Sequence, residues 1–339
     1  MIRMRTAIVA IALMLATATL SSVAAAPPQV SEDKDKIVLE NDHVRVWFQG
    51  KKPMLKVFPA DAPDAEDANG SYGYQFRELV EYNDLDGDGL PSTNEVLASL
   101  DLNRANAWNV TREEGEGNVT LTLSLVAPVK LGRSAGLPTD DVTTNATENL
   151  TLPGRGTSAN VSIVFRIFET ETTLTSDNLT VVVPETAIKY DLLVHSWPFV
   201  NAQVGRLALE LQVTGELEID GDNATVLSNG STVGALSWVA TASGNTTEGQ
   251  AVEVPVRAGV AATGENMSRL VFTYDAPMLA SLVHDPTVGT AGGASSDGVD
   301  GTSGGADRGE SRSNVPAPGL VALAGVAAAA ALAARRQRP

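Results

Sequence analysis

The chain is 339 residues long, with 43% hydrophobic and 19% charged residues, so it can bury a core and global disorder is excluded. Forty-one acidic residues stand against 24 basic ones, a net charge of -17, and such a surface repels a phosphate backbone, which argues against a nucleic-acid partner. Cysteine is absent, which removes disulfides, cysteine nucleophiles, thiolate metal sites and iron–sulfur clusters together.

Residues 1–26 read as a secretory signal peptide. Arg3 and Arg5 give the basic start, Thr6 to Leu20 is mostly apolar, and Val23 to Ala26 offers small residues for cleavage. There is no twin-arginine pair, so the general secretion route is expected. An uncleaved anchor is the other reading, and the apolar run is short for it. The mature protein is expected at the extracellular face of the cell membrane.

Residues 27–285 read as an all-β ectodomain. Val44 to Phe48 alternates, as do Tyr72, Tyr74 and Phe76. Val119 to Leu125 and Val161 to Phe168 keep a strict period of two, with Val161, Ile163, Phe165 and Ile167 on one face. Further strands are expected at Leu179 to Val183, Ile188 to Val194, Leu207 to Val213, Ser237 to Thr241, Val252 to Val256 and Leu270 to Tyr274. Turn signals at Asp220-Gly221, Asn229-Gly230 and Ser243-Gly244 separate them. Short alternating strands with polar turns predict an antiparallel β-sandwich, one large or two immunoglobulin-like. The polar stretch Gly132 to Gly156 is the one candidate boundary, or a long loop within one domain.

Within this region Asp84-Leu85-Asp86-Gly87-Asp88-Gly89, followed by Glu95, has the spacing of a calcium loop. Carboxylates fall at positions 1, 3 and 5, Gly89 at position 6 and Glu95 at position 12. The Leu90 backbone carbonyl stands at position 7. A hard divalent ion takes six to eight oxygens, and alternate residues of a tight loop point inward. The candidate metal ligands are therefore Asp84, Asp86, Asp88, Leu90 and Glu95, and the ion is Ca2+ in a structural role. The loop resembles EF-hand loops and the Asp-Gly-Asp-Gly-Leu loops of thrombospondin type 3-like repeats. Pro91 at position 8 lacks the N–H that paired EF-hands use, so a lone loop is expected. Ser92 and Glu95 have capping-box spacing, which predicts a short helix through about Leu100. A second acidic cluster, Glu218, Asp220, Asp222 and Asn223, reads as a hairpin turn.

Catalytic signals are weak. Gly132-Arg133-Ser134-Ala135-Gly136 has the Gly-X-Ser-X-Gly pattern, but Leu137-Pro138 follows where a nucleophile elbow needs a helix. The same pattern recurs at Gly301 to Gly305. The three histidines, His43, His195 and His284, show no metal-ligand spacing, and His195 to Phe199 reads as core packing. No catalytic residue is assigned. A pair of carboxylates for glycoside hydrolysis depends on separation in space.

Eleven of the 18 asparagines begin Asn-X-Ser/Thr sequons: Asn69, Asn109, Asn118, Asn145, Asn149, Asn160, Asn178, Asn223, Asn229, Asn245 and Asn266. All lie in the ectodomain, which points to an exposed glycoprotein. Residues 286–315 are dominated by Gly, Ser, Ala, Thr and Asp and read as a flexible tether.

Residues 316–339 read as a membrane-spanning sorting tail. Ala317 to Ala334 carries no charge, and Arg335, Arg336 and Arg338 follow on the cytoplasmic side. Pro318-Gly319-Leu320, the apolar run and the terminal arginines resemble the PGF-CTERM tail of archaeal surface proteins, with Leu320 where the family has Phe. That resemblance implies recognition by an archaeosortase, cleavage and a lipid anchor. Retention as a plain membrane helix is the alternative. Lysine is scarce, seven against 17 arginines, and the acidic, lysine-poor composition resembles proteins of halophilic archaea. The expected function is a non-enzymatic, glycosylated cell-surface protein with an envelope structural or ligand-binding role. A secreted hydrolase acting on polysaccharide or peptide is the alternative.

Overall fold

β-branched and aromatic residues at every second position favour extended chain, because they pack on a pleated, half-buried surface. A computed structural model describes residues 27–33, 36–49, 52–62, 70–103, 108–132, 158–176, 179–201, 205–264, 266–275 and 279–291. They belong to one unit of the chain, residues 1–295. The expected signal, the sorting motif Pro318, Gly319 and Leu320, and Ser134 lie outside the described residues.

The described residues hold 22 strands and no α-helix. The first ten are β1 (Gln29–Asp33), β2 (Lys36–Glu40), β3 (Val44–Gln49), β4 (Met54–Pro59), β5 (Tyr72–Tyr82), β6 (Val96–Asp101), β7 (Asn109–Gly115), β8 (Asn118–Pro128), β9 (Lys130–Leu131) and β10 (Ser158–Phe168). Then come β11 (Thr172–Ser176), β12 (Leu179–Val183), β13 (Ala187–His195), β14 (Arg206–Thr214), β15 (Glu216–Asp220) and β16 (Asn223–Ser228). The last are β17 (Ser231–Ser237), β18 (Thr241–Thr246), β19 (Ala251–Gly264), β20 (Met267–Tyr274), β21 (Leu279–His284) and β22 (Thr287–Thr290).

All pairings are antiparallel, in two layers. The first sheet runs β1-β2-β3-β4-β5-β14-β20, with the C-terminal half of β19 beside β20. β6 lies beside the later half of β5. The second sheet runs β7-β8-β10-β13, where β21 and β22 share the far side of β13. β22 continues into β17, β16 and β15, and β21 into β18 and the start of β19. β19 thus belongs to both sheets. Val252 to Pro255 pair with β18, and Val256 to Gly264 pair with β20. β11 and β12 form a separate hairpin.

The core lies between the layers. Phe48 and Phe76 from the first sheet meet Phe165 from the second at 4.7 and 6.0 Å between ring centres. Phe76 also meets Tyr190 edge-on at 5.2 Å. The Tyr74 and Tyr190 hydroxyls share a hydrogen bond of 2.5 Å, so both phenols are satisfied where no water reaches. Further along, Phe272 packs on Trp238 and His284. One hydrophobic cluster contains residues from β2 to β22, which makes this one sandwich.

β8 pairs with β10 over its full length, from Asn118↔Phe168 to Pro128↔Ser158, so the chain on either side of 133–157 belongs to one sheet, and the candidate boundary itself lies outside the described residues. Four expectations are corrected. The helix after the acidic loop is absent: residues 93–95 make one turn and the chain enters strand β6. Ser237 ends β17 and Thr241 opens β18, with a corner at 238–240 where a strand was expected, and Ser243-Gly244 lies inside β18. The ectodomain also runs past 285, because β22 is buried along its length and pairs with β13 and β17. The stretch expected as a tether, 286–315, is therefore part of the sheet as far as residue 290. The Asp220-Gly221 and Asn229-Gly230 turns stand as expected, joining β15–β16 and β16–β17.

Candidate metal centre

The acidic loop grows out of the end of β5. A bulge lies opposite Glu210 and Leu211 of β14, where Arg77 is skipped in the register. It shifts the alternation of β5, so Leu79 and Glu81 face the core side and Val80 and Tyr82 face outward. Val80, Tyr82, Ala208 and Val271 form a small apolar cluster on the outer face of the first sheet. Exposed, it would be an apolar patch in water. Leu90 and Val96, at the end of the loop and the start of β6, pack over it. The loop is thus the cover of a second, minor core.

Side chains of the sheet hold the cover down. The Tyr82 hydroxyl donates to the Gly89 carbonyl at 2.9 Å. Arg206 of β14 donates to Asp84 at 2.5 Å and pairs with Asp275 at 3.1 Å. Burial works against the Arg206 charge, but Asp275 and Asp84 outweigh it and raise its pKa. Arg269 of β20 reaches the Pro91 carbonyl at 3.2 Å and Glu210 at 2.6 Å. Gly259 of β19 lies under Leu90, and a Cβ there would stand 2.5 Å from the Leu90 Cδ2. A side chain at that point would force Leu90 to shift.

Inside the loop the carboxylates organise the backbone. The Gly87 and Gly89 N–H groups donate to Asp84 Oδ1 at 2.9 and 3.3 Å. Asp86 accepts from the Asp88 N–H and Asp88 from the Leu90 N–H. Gly87 and Gly89 both adopt φ +78°, which a side chain would strain. Oxygens of Asp84, Asp86 and Asp88 lie within 4.8 Å of one another. Three carboxylate oxygens at that separation fit a hard cation bound at about 2.3–2.6 Å. These are the residues that could hold Ca2+.

Glu95 stands outside that trio. It is 1% exposed. Its Oε1 accepts from the Leu85 and Asp86 N–H groups at 2.8 and 3.3 Å. Its Oε2 accepts from the Ser92 N–H and hydroxyl at 2.9 and 2.6 Å. Burial pushes the carboxyl up, and these four donors outweigh burial and hold it below the ordinary carboxylate range. Of the two capping-box contacts, the bond from the Ser92 N–H to the Glu95 carboxylate is present, but the Ser92 hydroxyl donates to that carboxylate instead of accepting from the Glu95 N–H, so the pair closes the loop and starts no helix. The Leu90 side chain serves the apolar cover.

Sequence reasoning missed the clamps: Arg206, Arg269 and Asp275 lie more than a hundred residues downstream and match no local pattern. Val80 and Tyr82 keep the period of Tyr74 and Phe76 in the sequence, so alternation alone puts them in the core, and the out-of-phase Leu79 is the one signal that the strand changes face. Of the sequons, Asn109, Asn160, Asn223, Asn229 and Asn266 are exposed. Asn118 and Asn245 are half-buried, and Asn245 donates to Ser281 at 3.1 Å. Asn69, Asn145, Asn149 and Asn178 lie outside the described residues. Trp197, Pro198 and Phe199 are buried, as their reading as core predicted. The buried Glu81 holds the same segment, accepting from the Val200 and Asn201 N–H groups at 2.8 Å each. Compared with known proteins, the chain matches no protein-family model and no curated protein sequence.

Proposed function

We propose that this is a non-enzymatic, glycosylated cell-surface protein whose β-sandwich carries one structural Ca2+ site at residues 84–95. The observation that carries the reading is the dual character of the loop. The same twelve residues gather three carboxylates and cover an apolar cluster on the sheet. An ion among Asp84, Asp86 and Asp88 would relieve their mutual repulsion and fix the cover, which is a structural and not a sensory use of calcium. Asp84, Asp86, Asp88 and the Leu90 carbonyl would hold the ion, with water completing the shell. Glu95 would shape the loop from behind.

The terminal segments support placement at the envelope: a signal-like start, a tether and a tail that resembles archaeal sorting signals, with an archaeosortase as the processing partner and the membrane as the anchor. The sequons on outward positions of the second sheet support an exposed, sugar-bearing surface. The hydrolase alternative gains nothing from the ionic groups of the second sheet, because Asp191 and Asp285 both touch one lysine, closer together than glycoside hydrolysis requires.

The test is a thermal melt of the protein in concentrated KCl, with millimolar calcium and with chelator. Calcium should raise the midpoint, and the Asp86→Asn, Asp88→Asn double variant should abolish the rise. An unchanged midpoint at millimolar calcium would remove the ion from the proposal.

A further inference from the structure

On the outer face of the second sheet, Lys189 of β13 is only 5% exposed although it points away from the main core. Its ammonium touches two carboxylates. Asp191 stands two residues on along the same strand, and Asp285, at 2.6 Å, comes from the corner between β21 and β22. Arg166 of β10 pairs with Asp191 from the other side. Asp191 is 10% exposed and Asp285 27%. Removing such charges from water is costly, and ion pairing repays that cost only where every remaining donor and acceptor is also satisfied.

We propose that Lys189 and Asp285 become joined by an intramolecular amide bond, with Asp191 as the proton carrier. The reaction is a condensation. The ammonium gives one proton to the Asp285 carboxylate, leaving an amine beside a carboxylic acid. The Lys189 nitrogen attacks the Asp285 Cγ and a C–N bond forms. The Asp191 carboxyl protonates the departing hydroxyl, the C–O bond breaks and water leaves. Asp191 then takes back a proton from the nitrogen, and a neutral amide remains. No oxidant, cofactor or metal enters the balance.

Three observations favour this bond. The reacting groups are held in contact by β13 and the β21–β22 corner, which pair on both sides of the site, so little orientation remains to be gained. Burial pushes the Asp191 carboxyl up. Burial acts on Asp285 too, but its bond to Asp191 and the Lys189 charge outweigh it and hold Asp285 down, so its acid form exists only in passing during the first step. Asp191 is therefore the group that keeps the shared proton. Finally, the link would close a loop of 96 residues in a chain that has no cysteine to close one. A bond from Lys189 to Asp191 would close nothing, since both stand on one strand. This inference goes beyond the calcium reading and does not depend on it.

The test is peptide mapping by mass spectrometry of the folded full chain, expressed by secretion into high salt. The expected product is a branched peptide that joins the Lys189 and Asp285 segments, lighter than their sum by one water. Lys189→Arg keeps the positive charge and should yield only linear peptides. Asp191→Asn keeps both bonding groups and should lose most of the branched product. Linear peptides with a free Lys189 in full yield from the folded wild type would overturn the proposal. So would a link to Asp191. A branched peptide at full yield in Asp191→Asn would overturn the role given to that carboxyl.

Discussion

Glu95 shows how one side chain decides the geometry of twelve residues. Its two oxygens accept four hydrogen bonds from both ends of the loop. Glu95→Gln replaces one acceptor by a donor that must face N–H groups, and should cost about 1–3 kcal/mol at neutral pH. Because the folded carboxyl lies below its ordinary value, its contribution is complete above the unfolded pKa of about 4.3 and is lost as pH falls through the lower folded value. Denaturant melts of both proteins should therefore differ at pH 7 and converge in acid. His284 works with the opposite charge. Burial drives its pKa down to about 3, so it stays neutral against Phe272 and accepts or donates at Tyr274 through a 3.0 Å bond. Between about pH 6.5 and 3 only the unfolded chain gains that proton, and stability falls with pH by up to about 1.4 kcal/mol per unit. His284→Phe should lower the slope of the stability profile between pH 6.5 and 5. A smaller slope should remain from His195, which burial also lowers.

At the scale of elements, the loop and the sheet beneath it act as one piece. Leu90→Ala should uncover Val80 and Val271 and destabilise by about 1–2 kcal/mol, less than a full core truncation because Leu90 is only half-buried. If the cover and the ion site are one device, the same variant should also weaken the calcium-dependent rise in melting temperature, although Leu90 keeps its backbone carbonyl. Gly259→Val should act alike from the other side, by pushing Leu90 off the sheet. Much of this was legible in the residues alone. Strands with one face in the core announce themselves by alternation, and β3, β8, β10 and β14 lie where the pattern put them. Polar and edge strands do not. β7 and β15 expose most of their residues and carry no apolar period. β6 was masked by a capping-box spacing of which the structure makes only one of the two bonds, within a single turn. The acidic spacing disclosed Asp84, Asp86 and Asp88, whereas the fate of Glu95 was settled by which backbone donors reach it first.

At the scale of the whole sandwich, the segment 133–157 can be tested by excision. β8 and β10 pair along their full length on either side of it. Replacing 133–157 by a flexible linker long enough to rejoin Gly132 and Ser158 should leave the melting temperature within a few degrees, a shift of order 1 kcal/mol or less. A collapse of the fold would mean the segment carries core contacts of its own.

β19 has a consequence for how such a molecule fails. Its first residues are stitched to β18 and its last to β20, so a single backbone is sewn through both layers. A sandwich held only by side chains could be pulled open along its apolar seam, like two halves of a shell. Here the layers share a thread at one margin, and to part them that thread must be stripped from one neighbour or the other. Resistance to opening then rests on rows of hydrogen bonds, which shear together, and not on grease, which peels a contact at a time.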